Sequence, residues 1–125
     1  MLNDSTVFAT LAVKDTAAAK QFYGEKLGLK QIDENPGGVM YQSGSGKLFV
    51  YQASTAGTNQ ATGASWEVPN VEATVADLKS KGVSFEHYDL PGAKLEGDIH
   101  IMGPMKAAWF KDPDGNILFV GNSGR

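Results

Sequence analysis

The chain alternates short segments, in which every second residue is hydrophobic, with two longer segments in which hydrophobic residues recur at helical spacing. The first short segment, residues 7–13, predicts a strand. In this strand Leu11 and Val13 share one face, whereas Phe8 and Thr10 lie on the other. A strand with one apolar face must bury that face against another element, so the pattern predicts a layered fold.

A helix and three further strands are predicted after the first strand. The helix covers residues 17–27, because Asp15 is a suitable N-cap and Gly28 is a suitable terminator. Turns rich in glycine then separate three short alternating segments, at residues 30–33, 39–42 and 47–52. The first part of the chain therefore predicts a βαβββ module.

The same order of elements returns after a connector of small polar residues at positions 54–61. The predicted elements are a strand, a helix and a further strand, at residues 64–68, 71–81 and 83–88. Val13 and Val68 occupy equivalent places in the two parts of the chain. This internal duplication predicts a second βαβββ module, with an insertion around residues 90–105.

The last predicted unit is a hairpin that turns at Asp112-Pro113-Asp114-Gly115-Asn116. Apolar residues flank the turn on both sides, Pro113 fixes φ and Gly115 supplies a positive φ. With Trp109 and Phe110 before it, the pattern xWFxDPDGNxxxx resembles the vicinal oxygen chelate superfamily. That superfamily contains glyoxalases, bleomycin-resistance proteins and ring-cleaving dioxygenases.

The duplication and the resemblance together imply an α+β fold of two tandem βαβββ modules. The resemblance implies that their mixed sheet curves around a cleft, as in the glyoxalase/bleomycin-resistance fold. One domain is expected over residues 1–125, because a chain of this length supports one compact core. Module one is expected at about residues 5–53 and module two at about residues 62–122, joined by a connector at 54–61.

In metal-dependent members of the superfamily, His, Gln or Glu side chains on cleft-facing strands hold a divalent ion. The resemblance carries these ligand positions to four residues that cannot bind a metal, namely Phe8, Val50, Gly63 and Phe119. No cofactor is therefore predicted. The hydrophobic members of this set are either part of the core or the wall of an apolar ligand pocket.

Polar and aromatic side chains on the predicted cleft face are further candidates for a ligand-binding site. They are Thr10, Ser65 and Glu67, together with either Trp109 or Phe110, between which strand parity does not choose. Glu67 is a candidate catalytic base or a partner for a cationic ligand. The alternative is that its carboxylate reaches solvent at the rim of the cleft.

Two histidines form a second group of candidates. His87 is either a structural imidazole or a general base, whereas His100 shares a strand face with Asp98 and Met102. A relocated metal site, built from both imidazoles and a carboxylate, is the alternative to the absence of a cofactor. The glycine-rich insertion is a candidate lid.

Charge and composition argue against several partners and chemistries. Lys and Arg total 11 and Asp and Glu total 14, so the net charge of −3 does not suit a nucleic-acid partner. The sequence has no cysteine, which excludes disulfides, thiolate zinc sites and cysteine nucleophiles. The polar first residues and the lack of a long apolar stretch predict a cytoplasmic protein without a membrane partner.

The resemblance to bleomycin-resistance proteins implies a homodimer that binds a small apolar or aromatic molecule in its cleft. One alternative is a lyase, isomerase or dioxygenase that uses a relocated metal, or Glu67 or His87 as a base. Another is an interaction module whose cleft is filled by its own Phe8, Trp109 and Phe119. The sequence leaves open whether the protein is an enzyme.

Overall fold

A computed structural model describes residues 1–122. A short 3₁₀ turn (Leu2–Asp4) precedes module one, which contains β1 (Ala9–Val13), α1 (Thr16–Ala19), a π-helical segment (Lys20–Lys26), β2 (Lys30–Asn35), β3 (Gly38–Ser43) and β4 (Gly46–Gln52). Module two contains β5 (Thr62–Glu67), α2 (Val71–Ser80), β6 (Phe85–Glu86), β7 (Lys94–Glu96), β8 (Ile99–Met102), β9 (Met105–Lys111) and β10 (Ile117–Gly121). Within residues 1–122, no helix has the length and apolar character needed to cross a membrane.

The strands form two sheets, one from each module. The first sheet has the order β1-β4-β3-β2, and the second has the order β5-β10-β9-β8-β7, with β6 paired to β9. The first and last strands of each module are parallel neighbours, and the other pairs are antiparallel. This duplicated topology confirms the predicted α+β fold of two βαβββ modules.

The first helix differs from the regular helix predicted over residues 17–27. The Asp15 side chain caps this helix by accepting the backbone N–H groups of Ala17 and Ala18, as expected. After one turn of α-helix the chain widens into the π-helical segment, where the Leu27 N–H donates to the carbonyl of Phe22, five residues earlier. Phe22 and its neighbour Tyr23 are both buried. The segment thus directs two consecutive large rings into the core.

One hydrophobic core contains the helix-covered faces of both sheets. The ring centres of Phe22, from module one, and Phe110, from module two, lie 6.4 Å apart. The indole N–H of Trp66 in module two donates to the Ser43 hydroxyl in module one at 3.0 Å. The helices and this core cover one side of each sheet, and we call the opposite sides the open faces.

The insertion in module two extends the second sheet. The strand predicted over residues 83–88 is shortened to the two residues of β6, and His87 and Tyr88 follow it outside any strand. Strands β7 and β8 then form an antiparallel hairpin in which Leu95 is opposite His100, and β8 also pairs with β9. The insertion, predicted as a candidate lid, therefore contains regular structure.

The predicted hairpin joins β9 to β10, and the buried carboxylate of Asp112 organises its turn. The Oδ1 atom accepts the backbone N–H groups of Asp114 and Asn116 at 3.0 and 2.9 Å. The Oδ2 atom accepts the Tyr23 hydroxyl at 2.6 Å and the Asn116 side-chain amide at 2.7 Å. Since a buried carboxylate requires donors, these four hydrogen bonds explain how Asp112 is only 5% exposed.

The same turn contacts three other parts of the chain. The Asn116 amide donates to the Ala12 carbonyl in β1 at 2.7 Å, and the Asp114 carboxylate accepts the backbone N–H of Lys14 at 3.1 Å. Gly57 in the connector has a φ of +74°, and a Cβ at this position would lie 1.8 Å from the Asp114 carbonyl oxygen. The turn therefore fixes β1 and the connector as well as its own hairpin.

Replacement of Tyr23 by Phe should lower the free energy of unfolding by about 1.5–3 kcal/mol, the usual contribution of a hydrogen bond to a charged group. Tyr41→Phe is the matched control, because the Tyr41 ring is buried beside that of Tyr23 but is not bonded to Asp112. Urea unfolding followed by circular dichroism measures both changes. Equal losses in the two variants would contradict a specific role for the bond to Asp112.

Stability should also fall at alkaline pH. Burial, followed by the neighbouring Asp112 carboxylate, raises the pKa of Tyr23 above its ordinary value. Because the pKa is higher in the folded state, this contribution is complete below about pH 10, the unfolded pKa, and is lost as the pH rises further. Urea unfolding between about pH 8 and 11 should show a steeper loss in the native protein than in Tyr23→Phe, and identical slopes would argue against this coupling.

Candidate functional site

The open face of the second sheet carries several residues that the sequence predicted. Ser65 and Glu67 in β5 are exposed on this face. Phe119 in β10 is the register partner of Ser65, and Trp109 in β9 is opposite Phe119. Strand parity did not choose between Trp109 and Phe110, and the structure places Phe110 in the core with 1% exposure. Ser65, Glu67, Trp109 and Phe119 thus share one surface.

Four rings lie side by side at this surface, and we call Phe119, Trp109, Tyr88 and His100 the aromatic row. The ring centre of Trp109 lies 5.3 Å from that of Phe119, 5.5 Å from Tyr88 and 5.0 Å from His100. All three contacts are edge-to-face, an arrangement that aromatic pairs favour. His100 is buried, whereas Phe119 and Trp109 stay partly exposed. The row is therefore a set of mutually packed rings of which two are partly open to solvent.

Val50 does not reach an open face, which corrects its predicted place in the cleft. It lies in the core with 1% exposure. The prediction made it the equivalent of Phe119 by counting along the chain, but Phe119 pairs with Ser65, and the equivalent pair in module one is Phe49 with Thr10. Phe49 is therefore the counterpart of Phe119. A slip of one residue along a strand moves the side chain to the opposite face.

Phe8 and Thr10 lie on the side of the first sheet away from the core, and Phe8 is 45% exposed. Gly63 lies at a bulge in the pairing of β5 with β10, where an added Cβ would be 2.6 Å from the Leu11 side chain. The close approach of β1 therefore explains this glycine. Thr10 and Gly63 line a polar cavity of about 400 Å³ between β1, β5 and the connector.

Asp98 joins helix α2 to the edge of the second sheet. One carboxylate oxygen accepts the Lys79 ammonium at 2.6 Å, and the other lies 2.7 Å from His87 Nε2. The hydrogen bonds from Lys79 and His87 hold the pKa of Asp98 below its usual range. Asp98 thus pairs with His87, and not with His100 as strand parity suggested. The ring centres of the two histidines lie 6.4 Å apart, although their spacing in the sequence gave no sign of this proximity.

Glu67 and His87, the two candidate bases, are both open to solvent. The side chain of His87 is 49% exposed, and Glu67 lies at the exposed end of β5. Catalytic roles for these residues stay predictions.

His100 and Tyr88 contain buried polar atoms that have no hydrogen-bond partner among residues 1–122. The Nε2 atom of His100 accepts the backbone N–H of Tyr88 at 3.0 Å. The Nδ1 atom of His100 and the hydroxyl of Tyr88 make no hydrogen bond within the described part of the chain. Both residues line a cavity of about 370 Å³, whose other walls are His87, Asp89, Leu90, Ala93 and Leu95.

Met102, two residues beyond His100, pairs with Met105.

The residues at the expected metal positions do not fit a metal ion. These positions hold Phe8, Gly63 and Phe119, with Phe49 in place of the predicted Val50, and none of their side chains offers a nitrogen, oxygen or sulfur ligand. Across residues 1–122, no group of three or more His, Cys, Asp or Glu side chains is arranged to hold a metal. These positions therefore lack the ligands that a metal-dependent member of the superfamily would need.

Sequence reasoning missed three aromatic residues, Phe49, Tyr51 and Tyr88. Phe49 and Tyr51 stack with ring centres 6.3 Å apart, and their alternation with buried residues in β4 could have identified them. Tyr88 lies beyond the end of β6, and its place depends on its backbone hydrogen bond to His100. No local pattern in the sequence signals such a contact.

Many solved structures share this fold, and three of them show its functional range. Lactoylglutathione lyase from Agrobacterium tumefaciens is 20% identical, with a TM-score of 0.69 over 96% of this chain and 95% of its own. The fosfomycin resistance protein FosX from Listeria monocytogenes is 13% identical, with a TM-score of 0.73 over 96% and 93%. TnmS3, an antibiotic binding protein from Streptomyces sp. CB03234, is 21% identical, with a TM-score of 0.66 over 95% and 97%.

A family model described as the Glyoxalase/Bleomycin resistance protein/Dioxygenase superfamily matches residues 6–119. Comparison with curated protein sequences gives no match. The family match spans both modules and agrees with the duplicated topology and with the predicted hairpin. The chain therefore belongs to the glyoxalase/bleomycin resistance protein/dioxygenase superfamily.

Proposed function

We propose that the protein binds a small, largely apolar or aromatic molecule on the open face of its second sheet. The observation that carries this proposal is the aromatic row, in which Trp109 and Phe119 remain partly exposed although the rings hold one another in place. Preordered rings lose little conformational entropy when a flat ligand stacks on them. Sequestration of such a ligand requires shape, stacking and desolvation, and no metal.

The polar residues around the row support a binding role. Ser65 and Glu67 lie on the strand beside Phe119, where they can contact polar groups at the edge of a bound ring. TnmS3 is an antibiotic binding protein with this fold, so a relative of similar architecture serves as a binder. Fold alone does not determine function, so the assignment here depends on the aromatic row. A homodimer stays a prediction from the family resemblance.

Titration with indane, a flat bicyclic hydrocarbon, should shift the indole N–H signal of Trp109 in a ¹H–¹⁵N spectrum. The indole N–H of Trp66 is an internal control, because it is bonded to Ser43 on the helix-covered side of the sheet. Both signals are expected to be resolved, since the sequence has two tryptophans. A shift at Trp66 with none at Trp109 would place binding away from the aromatic row.

Phe119→Leu should weaken this binding by about two- to tenfold, because one aromatic contact contributes roughly 0.5–1.5 kcal/mol beyond area burial. Phe49→Leu is the matched control, since Phe49 is the register counterpart of Phe119 on the first sheet. It should leave the affinity within about twofold. Equal losses in both variants would move the proposed site to a surface that includes the first sheet.

Divalent metals should not stabilise the protein. Binding to the folded state at 100 times Kd would add about 2.7 kcal/mol of stability, which a thermal shift detects easily. We expect no shift in melting temperature with Ni, Zn, Mn or Fe(II), and no stoichiometric metal in protein purified without a tag and measured by plasma mass spectrometry. A stoichiometric metal would contradict the proposal and would point to His87, His100 and neighbouring carboxylates as ligands.

A further inference from the structure

One residue that lines the cavity beside the aromatic row has a buried hydrogen-bond donor without an acceptor in the described part of the chain. His100 is 1% exposed, and its Nε2 accepts the backbone N–H of Tyr88 at 3.0 Å. An imidazole nitrogen that accepts a hydrogen bond carries no proton, so the proton of neutral His100 lies on Nδ1. The Nδ1 atom makes no hydrogen bond within residues 1–122. This N–H group therefore lacks an acceptor within those residues. Because the protein encloses the atom, an outside acceptor reaches it only when a neighbouring side chain moves aside.

A second unpartnered polar group belongs to Tyr88. Its hydroxyl is buried and makes no hydrogen bond within the described residues, and its ring stacks on that of His100 with 6.3 Å between centres. A buried polar group without a hydrogen bond is destabilising, and native proteins contain few such groups. Trp109 meets His100 edge-to-face, but an aromatic face accepts only weak hydrogen bonds. These two groups belong to residues that line one cavity, which indicates an oxygen acceptor from outside the described residues.

The residues that line the cavity indicate which kind of acceptor fits it. Its volume of about 370 Å³ suits a bicyclic molecule, and Leu90, Ala93 and Leu95 supply apolar walls. Asp89 lines the same cavity, so an anionic ligand would meet a like charge. The neighbouring Asp98 already pairs with Lys79 and His87. A neutral carbonyl oxygen therefore suits the donor better than a carboxylate does.

We propose that this cavity takes the carbonyl end of an uncharged planar ligand, whose oxygen accepts the Nδ1–H of His100 while its rings lie against the aromatic row. The inference rests on the proposed function and adds the ligand class and the group that recognises it. His100 is thus a specificity-determining residue that distinguishes a ketone from the hydrocarbon of the same shape.

The matched probes are 1-indanone and indane, which differ at one carbon by a carbonyl oxygen. The native protein should bind 1-indanone about tenfold more tightly, which corresponds to about 1.4 kcal/mol. Equal affinities would overturn this inference and leave the proposed function standing. Failure of both probes to bind would overturn the proposed function as well. Indane-1-carboxylate should bind more weakly than 1-indanone, and tighter binding would replace the carbonyl with a carboxylate.

His100→Phe keeps an aromatic ring and removes the donor, so the ratio of the two affinities should fall to about one. Phe49→Leu on the first sheet should leave the ratio unchanged. A ratio that persists in His100→Phe would overturn the role of His100.

The tautomer of His100 provides a test that needs neither a ligand nor a variant at this position. Long-range ¹H–¹⁵N spectra of tag-free protein with labelled histidine contain two imidazoles, and His87→Gln identifies the signal of His100. Neutral His100 should carry its proton on Nδ1. A proton on Nε2 would overturn the proposal.

Discussion

The buried carboxylate of Asp112 is the constraint on which the arrangement of the two modules depends. It accepts four hydrogen bonds: two from the backbone N–H groups of Asp114 and Asn116, one from the Asn116 side-chain amide and one from Tyr23 in the other module. A buried carboxylate that loses its donors costs several kcal/mol, so this charge permits few alternative positions of its neighbours. The Asn116 amide extends the network to the Ala12 carbonyl in β1. One turn thereby sets how the first module sits against the second.

This constraint determines which surfaces are available for function. The bond from Tyr23 brings the π-helical segment against β9, and Phe22 and Phe110 then meet inside one core. Side chains alternate along a strand, so burial of Phe110 directs its neighbour Trp109 to the opposite face. The aromatic row is therefore a consequence of the same packing that forms the core. Its rings pack against one another as part of that arrangement.

The sequence predicted the fold well because the fold depends on repeated local patterns. Equivalent residues in two modules and a hairpin with distinctive turn chemistry determine the topology. The wrong placement of Val50 shows the limit of prediction from sequence. The sheet face that Val50 occupies depends on the register of strand pairing, and counting residues along the chain does not reveal that register. The π-helical segment and the contact between Tyr88 and His100 were also missed, because both depend on tertiary packing.

The proposed way of selecting a ligand follows from the residues at the expected metal positions. The family resemblance assigns the metal-ligand positions to Phe8, Gly63 and Phe119, whose side chains cannot coordinate a metal, so the proposed ligand selection does not depend on coordination there. Stacking on Phe119 and Trp109 favours flat molecules but distinguishes poorly among them, because every aromatic ring has a face. Discrimination requires a group that is costly to leave unpaired. The buried Nδ1–H of His100, at the other end of the row, is such a group.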